Sequence, residues 1–147
     1  MKKDDVIETF NLLQTDENAK KIFDADISAR IPYRLHCCVY NFNREVWVED
    51  DILYNYDLGG NCQTLKILNE HRACLMYYQI RPYLRPMSSM TEEEKKELNN
   101  VLEFQYYSDD SCMCESTDWL NAHQFDYRGL IPMGLALEAK EGMYKTE

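Results

Sequence analysis

Leu35-His36-Cys37-Cys38-Val39-Tyr40, then Asn41-Phe42-Asn43-Arg44, then Glu45-Val46-Trp47-Val48-Glu49, is the stretch whose reading decides the fold. The first run is rich in residues that suit a pleated surface. The second carries two asparagines, which bend a chain by bonding to their own backbone, and it predicts a hairpin turn. The third alternates apolar with polar side chains, the period of a half-buried return strand. Outward from this hairpin, Ile52-Leu53-Tyr54-Asn55-Tyr56 predicts a third strand. It runs into Asp57-Leu58-Gly59-Gly60-Asn61, the strongest turn signal in the chain. Residues 62–68 and 73–80 complete four or five strands. Such a set predicts a small, twisted antiparallel sheet or a partial barrel over 35–80.

Helices flank this region. Residues 4–14 bring Val6, Ile7, Phe10 and Leu13 onto one inward stripe. Thr15-Asp16-Glu17-Asn18 reads as a break and a fresh start, because such side chains cap free N–H groups. The second helix carries Ala19, Ile22 and Phe23 inward, Ile27 and Ile31 follow, and Pro32 stops it. Arg81-Pro82-Tyr83-Leu84-Arg85-Pro86 predicts an extended connector over 81–90, since two prolines remove donors and fix the backbone. Thr91 and Glu94 then form a capping box for a helix to about residue 106, with Leu98, Val101, Leu102 and Gln105 inside. A last helix is expected over 118–125, with Trp119, Leu120 and His123 on one side. Gly129 and Pro132 end it, and Leu130, Ile131, Met133, Leu135 and Leu137 read as a final strand. The expected fold is α+β in a single domain, 1–147. It divides into 1–31 helical, 35–80 β, 81–90 connector, and 91–139 helical with that last strand.

The 147 residues hold 26 acids against 16 bases, a net charge of −10, with 45% hydrophobic residues. That apolar content excludes a disordered chain, and no apolar run approaches the ~20 residues that span a bilayer. The acid excess opposes nonspecific phosphate binding, so nucleic acid is not the expected partner. No apolar stretch follows Met1-Lys2-Lys3-Asp4-Asp5-Val6, which predicts a cytoplasmic protein. In that reducing compartment the six cysteines are expected as free thiols.

The motifs of common catalysts are missing: no Gly-x-Ser-x-Gly, no phosphate-binding glycine loop, no His-Glu-x-x-His. A Cys–His pair can be drawn from His36 and its neighbouring cysteines, but catalysis there needs an orienting third group and a lowered thiol pKa. His71, Cys74, Cys112 and Cys114 form a zinc alternative, although Cys-x-Cys with a lone His-x-x-Cys is tighter than the usual knuckle spacing. The carboxylate pairs Asp50-Asp51 and Asp109-Asp110 lack the alternation of a calcium loop. No cofactor is implied. The eleven tyrosines are more informative. Tyr54, Tyr56, Tyr77, Tyr78, Tyr106 and Tyr107 cluster mid-chain, and neighbours on a strand point to opposite faces, so some reach the surface. Tyrosine suits interfaces because it offers area and a hydrogen bond at small entropic cost. These six, with Asp109 and Asp110, are the candidate partner-binding residues; strand-favouring aromatics with hydrated hydroxyls are the alternative.

Ile31-Pro32-Tyr33-Arg34-Leu35, the run Arg81-Pro82-Tyr83-Leu84-Arg85-Pro86-Met87-Ser88-Ser89-Met90-Thr91, and Phe125-Asp126-Tyr127-Arg128-Gly129-Leu130-Ile131 share a pattern. It resembles a family of uncharacterised proteins from gut Bacteroidales phages and mobile elements, over roughly residues 26–139. The resemblance implies an origin and an architectural role for the motifs, and it carries over no catalytic residue.

The expected function is therefore that of a non-enzymatic phage or mobile-element accessory protein, in the cytoplasm of the bacterial host. It would bind a host or phage protein through an acidic, tyrosine-bearing surface, a counter-defence inhibitor being one form. The alternatives are a zinc module or small enzyme using the His and Cys residues, and a nucleic-acid-binding small barrel using Arg30, Arg34, Arg44, Arg81 and Arg85.

Overall fold

A computed structural model describes residues 3–58, 65–107 and 115–144. Two helices, α1 (Lys3–Thr15) and α2 (Glu17–Arg30), precede a sheet built from β1 (Leu35–Asn41), β2 (Val46–Leu58), β3 (Leu65–Asn69), β4 (Cys74–Met76) and β5 (Ile80–Leu84). Then come α3 (Glu92–Tyr107), α4 (Glu115–Ala122) and β6 (Leu137–Glu138). The fold is α+β, as expected. The strand order is β4-β3-β2-β1-β5-β6, so among the described residues β4 and β6 are the edges and the sheet is open rather than a partial barrel. All pairings are antiparallel except β5 with β6.

One face of the sheet carries the core. Leu35, Cys37 and Val39 alternate inward from β1 and meet Leu53, Ile67 and Ile80 from neighbouring strands. Leu13, Ala19, Phe23 and Ile27 of α1 and α2 cover them. Asp16 starts α2 by accepting hydrogen bonds from the backbone N–H groups of Asn18 and Ala19 at 3.0 and 3.1 Å. The inward stripe expected on α1 divides: Val6 and Leu13 are buried, but Ile7 and Phe10 are exposed.

Three strand expectations need correction. The runs 45–49 and 52–56 are one strand, because Asp50 adopts φ 61° and the register slips between Cys37 and Val39. The bulge absorbs the acidic break without ending the pairing. The run 73–80 is divided by a short 3-10 turn at Tyr77–Gln79. The proline connector begins as a strand: β5 spans Ile80–Leu84, and all five residues are buried. Pro82 faces Cys37 of β1, while β6 pairs only with Tyr83 and Leu84. At Pro82 the strand therefore has one neighbour, the edge condition a proline tolerates.

The last third differs in its boundaries. The last helix lies at Glu115–Ala122 rather than 118–125, and the final strand is two residues long because 130–134 turn. Leu98 and Val101 of α3 are half-buried and Leu102 is exposed, whereas Glu94 is buried. Glu94 and Thr91 form the capping box, Thr91 N–H donating to the carboxylate at 3.0 Å and Thr91 Oγ1 accepting from Glu94 N–H at 3.1 Å. The same carboxylate takes both Arg85 nitrogens at 2.7 Å. These bonds hold its pKa down at about 2, Arg85 contributing most.

The C-terminal segment is tied to both layers by polar groups. Arg30 is fully buried; its Nε donates to Asp26 Oδ2 at 2.8 Å and its Nη2 to the Phe125 carbonyl at 2.6 Å. Arg128 also donates to Asp26, at 3.1 Å. Phe125 forms an isolated bridge with Arg85, whose guanidinium lies 4.1 Å from the Phe125 ring centroid. Asp126 accepts from the Leu130 and Ile131 N–H groups, fixing the turn that follows.

Two outcomes follow for stability. Asp26→Ala strands a buried guanidinium and lowers the unfolding free energy by about 3 kcal/mol in urea titrations, while Asp26→Leu with Arg30→Met recovers most of it. Glu94 has a depressed folded pKa, so its contribution is present above pH 4.5 and is lost as pH falls through about 2. Glu94→Gln should cost on the order of 2–3 kcal/mol at pH 7 and flatten the decline between those pH values, read by thermal melts across pH.

Candidate functional site

Two turns frame a concavity at one end of the sheet. At the β1–β2 tip, Asn41 Oδ1 accepts from the Asn43 and Arg44 N–H groups at 2.9 and 3.3 Å, and Glu45 takes φ 52°. This Asn-centred turn puts Phe42 on the outside, where it is 42% exposed. At the β3–β4 turn, Asn69 Oδ1 accepts from Ala73 N–H at 2.9 Å, and Arg72 takes φ 61°. Gln79 pins the 3-10 turn to the hairpin, accepting from Met76 N–H at 3.0 Å and donating to the Tyr40 carbonyl at 3.4 Å.

Between these turns lies a cleft of about 610 Å³. Val39, Val48 and Leu75 give it apolar walls, Phe42 and Arg44 line it from the hairpin tip, and His71 lines it from the opposite turn. Asp51 and Asn69 are its buried polar groups. Asp51 Oδ1 accepts from Ile52 N–H at 2.8 Å and Oδ2 from Asn69 Nδ2 at 3.1 Å. The adjacent acids part at the bulge: Asp51 pairs opposite Cys37 on the core side, while Asp50 Oδ1 lies 2.6 Å from His36 Nδ1 on the other. The size and the mixed lining are those of a ligand-binding cleft.

Beside it runs a chain of aromatic rings. Phe10 of α1 meets Tyr78 at 4.8 Å, Tyr78 meets Phe42 at 6.3 Å, Phe42 meets Tyr40 at 5.2 Å, and Tyr40 meets Trp47 at 5.4 Å. Arg81 lies 5.3 Å from the Trp47 centroid and is itself held by Thr9 Oγ1 and the Asp5 carbonyl. Phe10 and Phe42 of this chain of rings are exposed, as are Ile7 on α1 and Val46 and Val48 on β2.

The outer face of β1 holds His36 and Cys38 under the C-terminal segment. Tyr144 Oη accepts from His36 N–H at 2.9 Å and donates to the Tyr83 carbonyl at 2.6 Å, while Lys140 pairs with Glu49 at 2.6 Å. Asp50 is the orienting group a Cys–His pair would need, but the thiol is wrong. Burial above all, and the Glu49 charge, push the Cys38 pKa up despite its hydrogen bond with Tyr83. That opposes thiolate formation.

The tyrosines proposed from sequence do not form one surface. Tyr54 and Tyr56 are exposed on β2, and Tyr78 is half-buried in the aromatic chain. Tyr77 belongs to the core, where its hydroxyl accepts from Gln14 Nε2 at 2.8 Å. Tyr106 and Tyr107 end α3, and their side chains, like Asp109, Asp110, Cys112 and Cys114 entirely, lie outside the described residues. His71 and Cys74 are exposed, and among the described residues no group of three or more His, Cys, Asp or Glu is placed to hold a metal. From sequence Phe10 is a core residue, Phe42 only part of a turn, and Asp51 only half of a carboxylate pair without a calcium-loop pattern. An aromatic inside an Asn-flanked turn was the available signal, since turn residues face water.

No protein-family model, curated protein or solved structure matches the chain. Among the described residues no helix is long and apolar enough to cross a membrane.

The thiol environments make a direct chemical prediction. Iodoacetamide at pH 7.5 should alkylate exposed Cys74 readily and leave Cys37 and Cys38 untouched until denaturant is added, as peptide mass spectrometry would read. Labelling of native Cys38 at the rate of Cys74 would show an accessible, reactive thiol instead.

Proposed function

We propose that the protein is a non-enzymatic accessory protein of a phage or mobile element that acts by binding another protein of host or phage. The observation that carries this reading is the connected, partly exposed ring series Phe10, Tyr78 and Phe42 beside an open cleft. Exposed aromatic side chains in contact with one another are favoured in the core of an interface. The reading thus moves the contact surface from an acidic tyrosine face to an aromatic one. A counter-defence inhibitor is one form such a protein takes.

Nucleic-acid mimicry draws less support. Mimicry needs unpaired carboxylates, yet on α3 Glu94 is taken by Arg85, Glu97 Oε1 accepts from Trp119 Nε1, and Glu92 pairs with Lys95. A nucleic-acid reader is also disfavoured, because Arg30, Arg81 and Arg85 are engaged internally and only Arg34 and Arg44 of that set are exposed. For zinc, the exposed His71 and Cys74 bring no third described ligand with them.

Photocrosslinking separates these readings. A photoreactive amino acid at position 42 should yield a specific adduct in host or phage-infected lysate. The same group at position 58, also exposed but on the far end of β2, should not. Phe10→Ser with Phe42→Ser should reduce capture by about tenfold or more, as loss of interface anchors does, with the far-UV circular dichroism unchanged. Equal adducts at both positions would remove the aromatic surface as the contact.

A further inference from the structure

We propose that the cleft between the β1–β2 tip and the β3–β4 turn receives a lysine or arginine side chain of the partner protein, its cationic head seated on Asp51. The inference rests on the protein-binding reading and names the chemistry of the partner.

Asp51 is 4% exposed and is one of the residues that line the cleft. Its hydrogen-bond donors are two neutral groups, Ile52 N–H and Asn69 Nδ2. Among the described residues no Lys, Arg or His forms an ion pair with it, whereas Asp26 and Glu94 each face a guanidinium, and Asp126, the remaining buried acid, is held by two backbone N–H groups. A carboxylate offers about four acceptor sites, and burying one without a counter-charge is costly unless a cation arrives. Asn69 cannot turn away to relieve it, because its own carbonyl oxygen holds the β3–β4 turn through Ala73. The carboxylate is thus oriented in advance by neutral donors, one on each oxygen, with acceptor capacity left for a cation.

The apolar part of the cleft suits the stem of a long side chain, while Arg44 and His71 also line the cleft, so the cationic head is favoured only at Asp51 itself. Val39, Val48 and Leu75 offer apolar walls to a methylene stem, and Phe42 lines the cleft from the hairpin tip. Val48 is 39% exposed, so this wall is uncovered. A cleft of about 610 Å³ holds such a side chain together with part of its flanking peptide. The net charge of −10 steers a basic partner toward the molecule, and Asp51 supplies the specific seat.

Small probes test the seat apart from the partner. ¹⁵N-labelled protein is titrated with N-acetyl-lysine and N-acetyl-arginine N-methylamides, and with the norleucine analogue, which keeps the stem and lacks the charge. Saturable amide shifts at Val48, Asp51, Asn69 and His71 are expected with the cationic probes and not with norleucine. Asp51→Asn should weaken them by about tenfold or more, the loss expected for a charge-assisted hydrogen bond. Val48→Trp leaves Asp51 intact and blocks the wall from an exposed position, so it should abolish the shifts even if Asp51→Asn folds poorly. Equal shifts with norleucine, unchanged binding in Asp51→Asn, or no saturable shift would overturn the proposal. Probe shifts without position-42 crosslinks would instead sink the protein-binding reading, and crosslinks without probe shifts would sink the Asp51 seat alone.

Discussion

The fully buried Arg30 is the constraint on which the arrangement of layers depends. A guanidinium cannot leave water without an anion and several acceptors, and here they come from two parts of the chain. Asp26, one helical turn earlier, supplies the charge, and the Phe125 carbonyl, 95 residues along, supplies an acceptor. Gln124 answers by donating to the Tyr33 carbonyl just beyond α2 at 3.3 Å. Once Phe125 is held there, its neighbours bond to Arg85: Arg85 N–H donates to the Gln124 carbonyl and Asp126 N–H to the Arg85 carbonyl, at 2.7 and 2.8 Å. Arg85 in turn fixes the start of α3 through Glu94. One buried charge therefore sets the relation of α2, the end of β5, α3 and the C-terminal segment.

This chain of dependence explains which elements could be read in advance. The β1–β2 hairpin, the α2 cap and the Thr91–Glu94 box are local, each decided by residues within a few positions of one another. The strand β5 is not local. Its prolines argue against a sheet, and only the long-range pairing with β1 and the absence of β6 beside Pro82 make room for it. Likewise the acidic run 49–51 reads as a break until a bulge allows Asp50 and Asp51 to leave on opposite sides. On α1 periodicity puts Ile7 and Phe10 on the inward stripe, but the buried face is Val6, Thr9 and Leu13, because Thr9 receives Arg81 from β5, a contact 72 residues away in sequence.

The candidate site was less legible for the same reason. The motifs that stand out in the sequence, around Arg81–Arg85 and Phe125–Arg128, are those whose side chains hold the layers together. Tyr77 stood out as a surface candidate because adjacent tyrosines on a strand diverge; the short turn at Tyr77–Gln79 instead sends one ring to the core and leaves its neighbour in the aromatic chain. Phe42, Asp51 and Asn69 are unremarkable singly. They become a site only when two asparagine-built turns face each other across the end of the sheet.

The two ends of the sheet thus do opposite things with their polar groups. At the β5 end, acids and arginines cancel in pairs, apolar rings are stacked beneath Arg85, and Trp119 is closed by Glu97. At the hairpin end, rings are left in water and a buried acid forms no ion pair among the described residues. At the first end Arg30 and Arg85 each meet a carboxylate, on Asp26 and on Glu94; at the other the buried carboxylate of Asp51 takes two neutral donors. Leaving Asp51 and Phe42 open carries a cost in stability, and an arriving cationic side chain with an apolar stem relieves both at once.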